Sequence, residues 1–163
     1  MIRKTEVQDI ACVMKIYAYA RTQMKLAGNP HQWQDKHPRE EVILQDIACG
    51  NSYVIEEDGE ICGVFAFIIG EDPTYREIVG AWPNDEPYGT IHRLAGSGKV
   101  SGIFRQCLQF CESNVQNVRI DTHRDNKVMQ HLAEKYGFAF CGIIYVNDGT
   151  ERLAYHKVCR VSE

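Results

Sequence analysis

Long apolar runs, paired cysteines and an excess of positive charge are all missing from this 163-residue chain. No segment approaches the ~20 consecutive apolar residues of a membrane span. Lys and Arg number 18 against 22 Asp and Glu, a net charge of −4. Bulk electrostatics therefore favour neither nucleic acid nor an anionic membrane, and any anion site has to be local. The cysteines are odd in number, at 12, 49, 62, 107, 111, 141 and 159, with no Cys-x-x-Cys pair. That argues against a disulfide framework, and no Cys/His cluster has zinc spacing, so no metal is expected. A reduced, cytoplasmic protein is the expectation. The N-terminal MIRKTEVQDI carries charge but no following apolar run, unlike a secretory signal. There is no internal repeat and no long linker, so one domain over residues 1–163 is expected. With 44% hydrophobic and 25% charged residues, the chain can bury a full core.

What is present is concentrated between Thr90 and Cys111, TIHRLAGSGKVSGIFRQCLQFC. A short apolar strand (Ile91, Leu94, Ala95) breaks into a loop with Gly96, Gly98 and Gly102. The loop opens into a helix whose apolar face is Val100, Ile103, Phe104, Cys107, Leu108 and Cys111, at one-sided helical spacing. Glycines let backbone approach a ligand closely, and first-turn N–H groups have no partner inside a helix. Strand, loop and helix start thus form an anion site, with phosphate as its usual guest. A nucleotide-hydrolase loop, GxxxxGK[ST], does not fit. Val100 follows Lys99, and the required first glycine falls on Arg93. A dinucleotide GxGxxG is absent too.

Around this stretch the pattern alternates between the two periods. Residues 2–6 read as a strand, and Asp9 as the cap of a helix with Ile10, Val13, Met14, Tyr17, Ala18 and Met24 on one side. After the polar loop GNPHQWQDKHP, a short helix uses Val42, Ile43 and Ile47. Ser52–Glu56 and Ile61–Ile69 read as a hairpin across Asp58-Gly59, the second strand apolar on both faces and therefore central. Residues 70–89 are turn-rich and read as an irregular insert. VRIDTH after Asn114 is a further strand. Asp125 or Asn126 starts a helix with Val128, Met129, Leu132 and Ala133 on one side, and Phe138–Val146 with Arg152–Val158 form a last strand pair. The order β-α-α-β-β-β-α-β-α-β-β predicts an α/β protein of α+β type, with a mixed sheet and helices on its faces.

That order, with a glycine loop between the fourth strand and the third helix, resembles a GNAT-type N-acetyltransferase over nearly the whole chain. The second matching piece is DTHRDNKVMQHLAEKYGF, with Asp121 ending a strand, Asn126 opening a helix and Gly137-Phe138 starting the next strand. The resemblance implies a central mixed, twisted sheet of six to seven strands with four helices, splayed between the fourth and fifth strands. It implies acetyl-CoA as co-substrate, its pantetheine arm against the backbone of Leu94, Ala95 and Gly96. The amides of Gly98, Lys99, Val100, Ser101, Gly102 and Ile103 would take the pyrophosphate, and Asn126 would reach the cofactor. Lys99, Arg105, Arg124 and Lys127 are cations near these segments. Two loop positions depart from the family pattern, Ser97 for Gln/Arg and Val100 for glycine. The family's acidic tyrosine position holds Ala133, with Tyr136 three residues later.

Acetyl transfer to an amine needs the neutral amine, about one molecule in a thousand at neutral pH for a pKa near ~10.4. It therefore needs a base, or a desolvated site that lowers this pKa, and donors for a developing oxyanion. His92, before the cofactor end of the fourth strand, and His123, at the end of the fifth, are the acid/base candidates. Asp121 shares a face with His123 and could orient it or pair with Arg119. Glu56 and Glu57 are the weaker alternative. Trp33, Tyr75 and Trp82 are the candidate acceptor-binding aromatics, with Asn29, His31, Gln32 and Tyr88 nearby. The expected activity is direct acetyl transfer to a primary amine (small molecule, amino acid or peptide N-terminus). The alternative is a non-catalytic acyl-CoA sensor of the same fold. The partners are thus a small-molecule or peptide amine, with no nucleic acid or membrane; a homodimer stays open.

Overall fold

In this computed structural model, residues 1–159 are described. Residues 160–163, which the single-domain expectation includes, lie outside the described residues. Eight strands form one sheet: β1 (Ile2–Lys4), β2 (Ser52–Glu57), β3 (Glu60–Ile69), β4 (Val79–Gly80), β5 (Gly89–Gly96), β6 (Asn117–Thr122), β7 (Ala139–Tyr145) and β8 (Glu151–Val158). Their spatial order is β1-β2-β3-β5-β6-β8-β7-β4. The four helices are α1 (Ile10–Leu26), α2 (Glu40–Ala48), α3 (Ile103–Glu112) and α4 (Lys127–Lys135). The sheet exceeds the expected strand number because the 70–89 insert is not wholly irregular. Val79 and Gly80 pair with Ile143 and Gly142 at the sheet edge.

Sequence chemistry sets the turns. Asp58 and Gly59 both have positive φ, 53° and 77°, the backbone a two-residue hairpin turn requires. β3 is central, hydrogen-bonded to β2 and β5, and Cys62 to Phe67 are buried on both its faces. α3 buries Phe104, Cys107, Leu108 and Cys111, the stripe the sequence predicts. Val100 belongs to the preceding loop instead, because the helix begins only after Gly102. On α4, Val128 is exposed rather than on the apolar side. Asp9 does not cap α1 with its side chain. It accepts from the Glu6 N–H and takes the Arg3 guanidinium at 2.8 Å.

α3 and α4 cover one sheet face, where Phe104, Leu108 and Ala133 pack on Phe65, Val118 and Ile120. On the other face, α1 and α2 bury Val13, Tyr17 and Ile43 against Val54, Val64 and Ala95. Residues 70–88 continue that layer, with Tyr75 and Tyr88 against Ile144 and Ala154. Burying a Leu- or Phe-sized side chain contributes roughly 1.5–3 kcal/mol, so these layers dominate the favourable side of folding.

Candidate active site

The site begins with a missing ladder. β5 and β6 run parallel but pair only at Gly89–Val118 and Thr90–Arg119. Beyond Thr90 the two strands diverge, while β5 stays bonded to β3 as far as Gly96. The sheet therefore opens between its central strands, at the position the resemblance implies for its fourth and fifth strands. A cavity of about 970 Å³ runs through the gap. On the α3/α4 side it meets Phe104, Asn126, Lys127 and Met129. On the other side it meets Gln32, Trp33, His37, Asp72, His92 and Arg152.

A bulge in β5 shapes the gap. Val64 and Ala66 of β3 face Ala95 and His92, so β5 carries one extra residue between them. Arg93 takes up the surplus with φ 53°, a conformation that costs a non-glycine residue roughly 1–2 kcal/mol. Two anchors offset that cost. The Arg93 guanidinium makes a two-pronged pair with Asp46 of α2, at 2.9 and 2.7 Å. Its carbonyl accepts from the Tyr17 hydroxyl at 2.7 Å.

Past the bulge, the Ser97 N–H donates to the Cys62 carbonyl at 2.9 Å. The antiparallel alternation then gives Ala95 to β3 and turns the Gly96 N–H into the gap. The loop that follows offers more donors. Gly102, at φ 79°, starts α3 without a side-chain cap. The first-turn amides of Ile103, Phe104 and Arg105 have no acceptor among the described residues. Gly98 sits under the Tyr19 hydroxyl, which a Cβ there would approach to 2.3 Å. Leu94, Ala95 and Gly96 line the cavity directly; Gly98, Lys99, Val100, Ser101 and Ile103 continue from its rim. Asn126 lines it as the N-cap of α4, accepting from Met129 N–H and donating to Gln32 Oε1. Lys99 is paired with Glu60, so Lys127 is the cation on this wall. A phosphorylated carrier fits this half: a glycine-rich backbone, free first-turn amides and one lysine on the wall, the loop's only bonded carboxylate among the described residues being the Glu60 that Lys99 holds.

The opposite half holds the titratable groups. His92 Nε2 lies 3.0 Å from Asp72 Oδ2, and the Thr74 N–H donates to the other Asp72 oxygen at 2.9 Å. Burial works against the Asp72 carboxylate, yet the His92 and Thr74 hydrogen bonds outweigh it and hold the carboxyl below its usual range. His37 is pushed down to about 4, mostly by burial and further by the charges of Arg93, His92 and Arg152. It is therefore neutral at physiological pH.

The other sequence candidates are placed less centrally. His123 is off the cavity wall. Its Nδ1 accepts from the Asp125 N–H at 3.0 Å, and burial with the nearby Arg152 lowers its pKa. Asp121 pairs with neither His123 nor Arg119; it accepts from the Tyr75 hydroxyl at 2.6 Å. Tyr75 and Trp82 lie under the wall rather than on it. Tyr75 is buried against Tyr88, and the Trp82 indole donates to the Tyr75 carbonyl. Trp33 does line the cavity, edge-on to Tyr17. Glu56 holds Arg3, and Glu57 accepts from Gln106, away from the gap. Ala133 is wholly buried and Tyr136 packs on Phe104. Sequence reading missed Asp72, His37, Asp46 and Arg152, which reach the cavity or its supports only through long-range contacts.

No protein-family profile matches the chain, and no curated protein matches it in sequence. Solved structures do. A GNAT-family acetyltransferase from Streptococcus agalactiae 2603 shares 31% identity with a TM-score of 0.89, over 99% of this chain and 96% of that one. The chain belongs to the GNAT family of acetyltransferases. A GNAT-family acetyltransferase from Listeria monocytogenes 4b F2365 has the same fold at 22% identity and TM-score 0.72, covering 97% of this chain and 94% of that chain. So does a Salmonella typhimurium protein solved with its cofactor acetyl-CoA, at 15% identity and TM-score 0.64, covering 99% of this chain and 95% of that chain. The split between β5 and β6 in this GNAT acetyltransferase thus sits in a sheet that related proteins share.

Proposed function

We propose that this N-acetyltransferase moves the acetyl group of acetyl-CoA to a primary amine by direct attack in a ternary complex. The observation that carries the reading is the gap between β5 and β6, with an amide-rich loop at one mouth and the His92–Asp72 pair at the other. Acetyl-CoA supplies the acyl group as an activated thioester. The Gly96 N–H and the open first-turn amides of α3 would hold its carbonyl and phosphates. Asp72 accepts from His92 Nε2–H, which leaves Nδ1 as the basic nitrogen. His92 then removes the proton of an incoming ammonium, and the freed amine forms the C–N bond as the C–S bond breaks, the departing thiolate taking the proton that the new amide nitrogen sheds. Trp33 and the neutral His37 form an uncharged wall beside it, where a desolvated amine loses its proton more easily.

The cytoplasm suits this enzyme, since its seven cysteines are all free thiols. Among the described residues no helix is long and apolar enough to cross a membrane. The sensor alternative rests on Ala133, which cannot reprotonate a thiolate. Calorimetry with acetyl-CoA and CoA release across an amine panel separate the readings. Absence of donor binding at ~1 mM, the upper end of ordinary KM values, refutes both. Binding without turnover on any amine leaves the sensor. In the transferase, His92→Ala and Asp72→Asn each lower kcat by ~10²-fold or more.

A further inference from the structure

The acceptor half of the cavity contains a buried guanidinium that no carboxylate bonds among the described residues, the exposed Asp148 being within electrostatic reach but bonded to Thr150 instead. Arg152 of β8 is 8% exposed and lines the cavity. Its Nη1 donates to Thr150 Oγ1 at 3.0 Å and to the Glu151 carbonyl at 2.8 Å. Thr150 is itself fixed by Asp148, whose Oδ1 accepts from both the Thr150 N–H and hydroxyl. Arg152 makes no ion pair among the described residues. Its Nε and Nη2 donate to nothing there, and both keep solvent access on a residue that lines the cavity. Contrast Arg93, the other guanidinium on this wall, whose charge is consumed by Asp46.

A buried, unpaired cation is expensive, and removing one partner of a buried pair typically costs several kcal/mol. A fold that holds one rigidly at a cavity wall is pre-organised for an anion. The two free donors, Nε and Nη2, are the parallel N–H groups on one edge of the guanidinium. That edge matches the two oxygens of a carboxylate. A dianion would need a second unpaired buried cation, and the other residues on this side offer only the exposed Lys36. Arg152 also lies within electrostatic reach of His37, which in turn senses His92. The anion position and the proposed base line the same cavity, with His37 on the wall as well.

We infer that the acceptor is an amino acid or other amine bearing a carboxylate, its carboxylate clamped by Arg152 and its amine presented to His92. The inference rests on the transferase reading above and names its substrate class. Asp148 and Thr150 act as positioning residues for the clamp. The clamp holds the acceptor's carboxylate and not the reacting atoms, so its loss raises KM more than it lowers kcat.

The test compares α-, β- and γ-amino acids with the matching carboxamides, which keep the amine and lose the negative charge. Two readouts are taken: CoA release with acetyl-CoA present, and calorimetric binding of the N-acetylated acids and amides with CoA present. Wild-type enzyme should prefer the best acid over its amide by about 10²-fold in kcat/KM and in binding. Arg152→Gln should collapse that ratio toward one while acetyl-CoA affinity is retained, and Arg152→Lys should restore it in part. Equal turnover of acids and amides by the wild type overturns the carboxylate clamp and leaves the transferase standing. A carboxylate preference in binding without any turnover keeps the clamp and removes the transferase. No binding of any carboxylate overturns the clamp, and so does an unchanged ratio in folded Arg152→Gln.

Discussion

Acid should unfold this protein through one buried imidazole, His156. Its ring is 1% exposed on the sheet face under residues 70–88. Nδ1 accepts from Arg119 Nε at 3.1 Å, so the proton resides on Nε2, which donates to Asn117 Oδ1 at 2.9 Å. Arg119 is held between the rings of Trp82 and Tyr88, at 3.9 and 3.8 Å. A second proton on His156 would point at this guanidinium with nowhere to go. Burial, with Arg119 adding to it, pushes the pKa down to about 4 from an ordinary 6.5. The folded state thus refuses a proton that the unfolded chain accepts below 6.5. Stability is full above that pH, falls as pH drops toward 4, and loses nothing more from this group below 4. At 1.36 kcal/mol per pKa unit the total is about 3 kcal/mol, a large share of a normal domain's 5–15 kcal/mol. The comparison is urea unfolding of wild type and His156→Gln, followed by tryptophan fluorescence between pH 7 and pH 4. Gln keeps an acceptor for Arg119 and a donor for Asn117 but does not titrate. His37, depressed in the same direction, is common to both proteins and cancels in the difference. Wild type should lose about 3 kcal/mol more than the variant across this window. Parallel curves would refute the argument.

Two further outcomes follow from the gap between β5 and β6. Asp46→Ala leaves the Arg93 guanidinium unpaired in the bulge and should cost about 3 kcal/mol in urea unfolding. Arg93→Gly should cost less, because glycine relieves the positive φ; a larger loss in Arg93→Gly would count against the strain argument. Gly98→Ala puts a Cβ 2.3 Å from the Tyr19 hydroxyl at φ 81°. It should weaken acetyl-CoA binding by calorimetry, and adding Tyr19→Ala should recover only the steric part. Full recovery would show that the left-handed backbone is unimportant there.

Elements and their order were legible in the sequence because each is fixed locally. The stripe from Ile103 to Cys111 has helical spacing, Asp58-Gly59 matches its turn, and Asn126 caps the helix that follows. The glycine loop's position relative to the helix is equally local, since unsatisfied first-turn amides follow from helix geometry alone. His92 was legible as a candidate, being a histidine on a strand leading into that loop. The two-residue β4 was not, because so short a strand has no period and exists only by pairing with β7.

Tertiary structure decided which side chains share the cavity. Nothing along the chain distinguishes Asp72 in a turn-rich insert from its acidic neighbours; it matters because the insert folds over β5 beside His92. Arg152 reads as one more alternating strand residue until the β7–β8 hairpin buries it without a partner. Tyr75 and Trp82 read as pocket walls by composition, yet the insert turns them inward against Tyr88, Ile144 and Ala154. The sequence alone determined the family's order of strands, loop and helices, through backbone propensity and hydrophobic period. Charge placement around the gap depended on which distant segments met. Burial, and with it electrostatic strength, is a property of that meeting and not of any one segment.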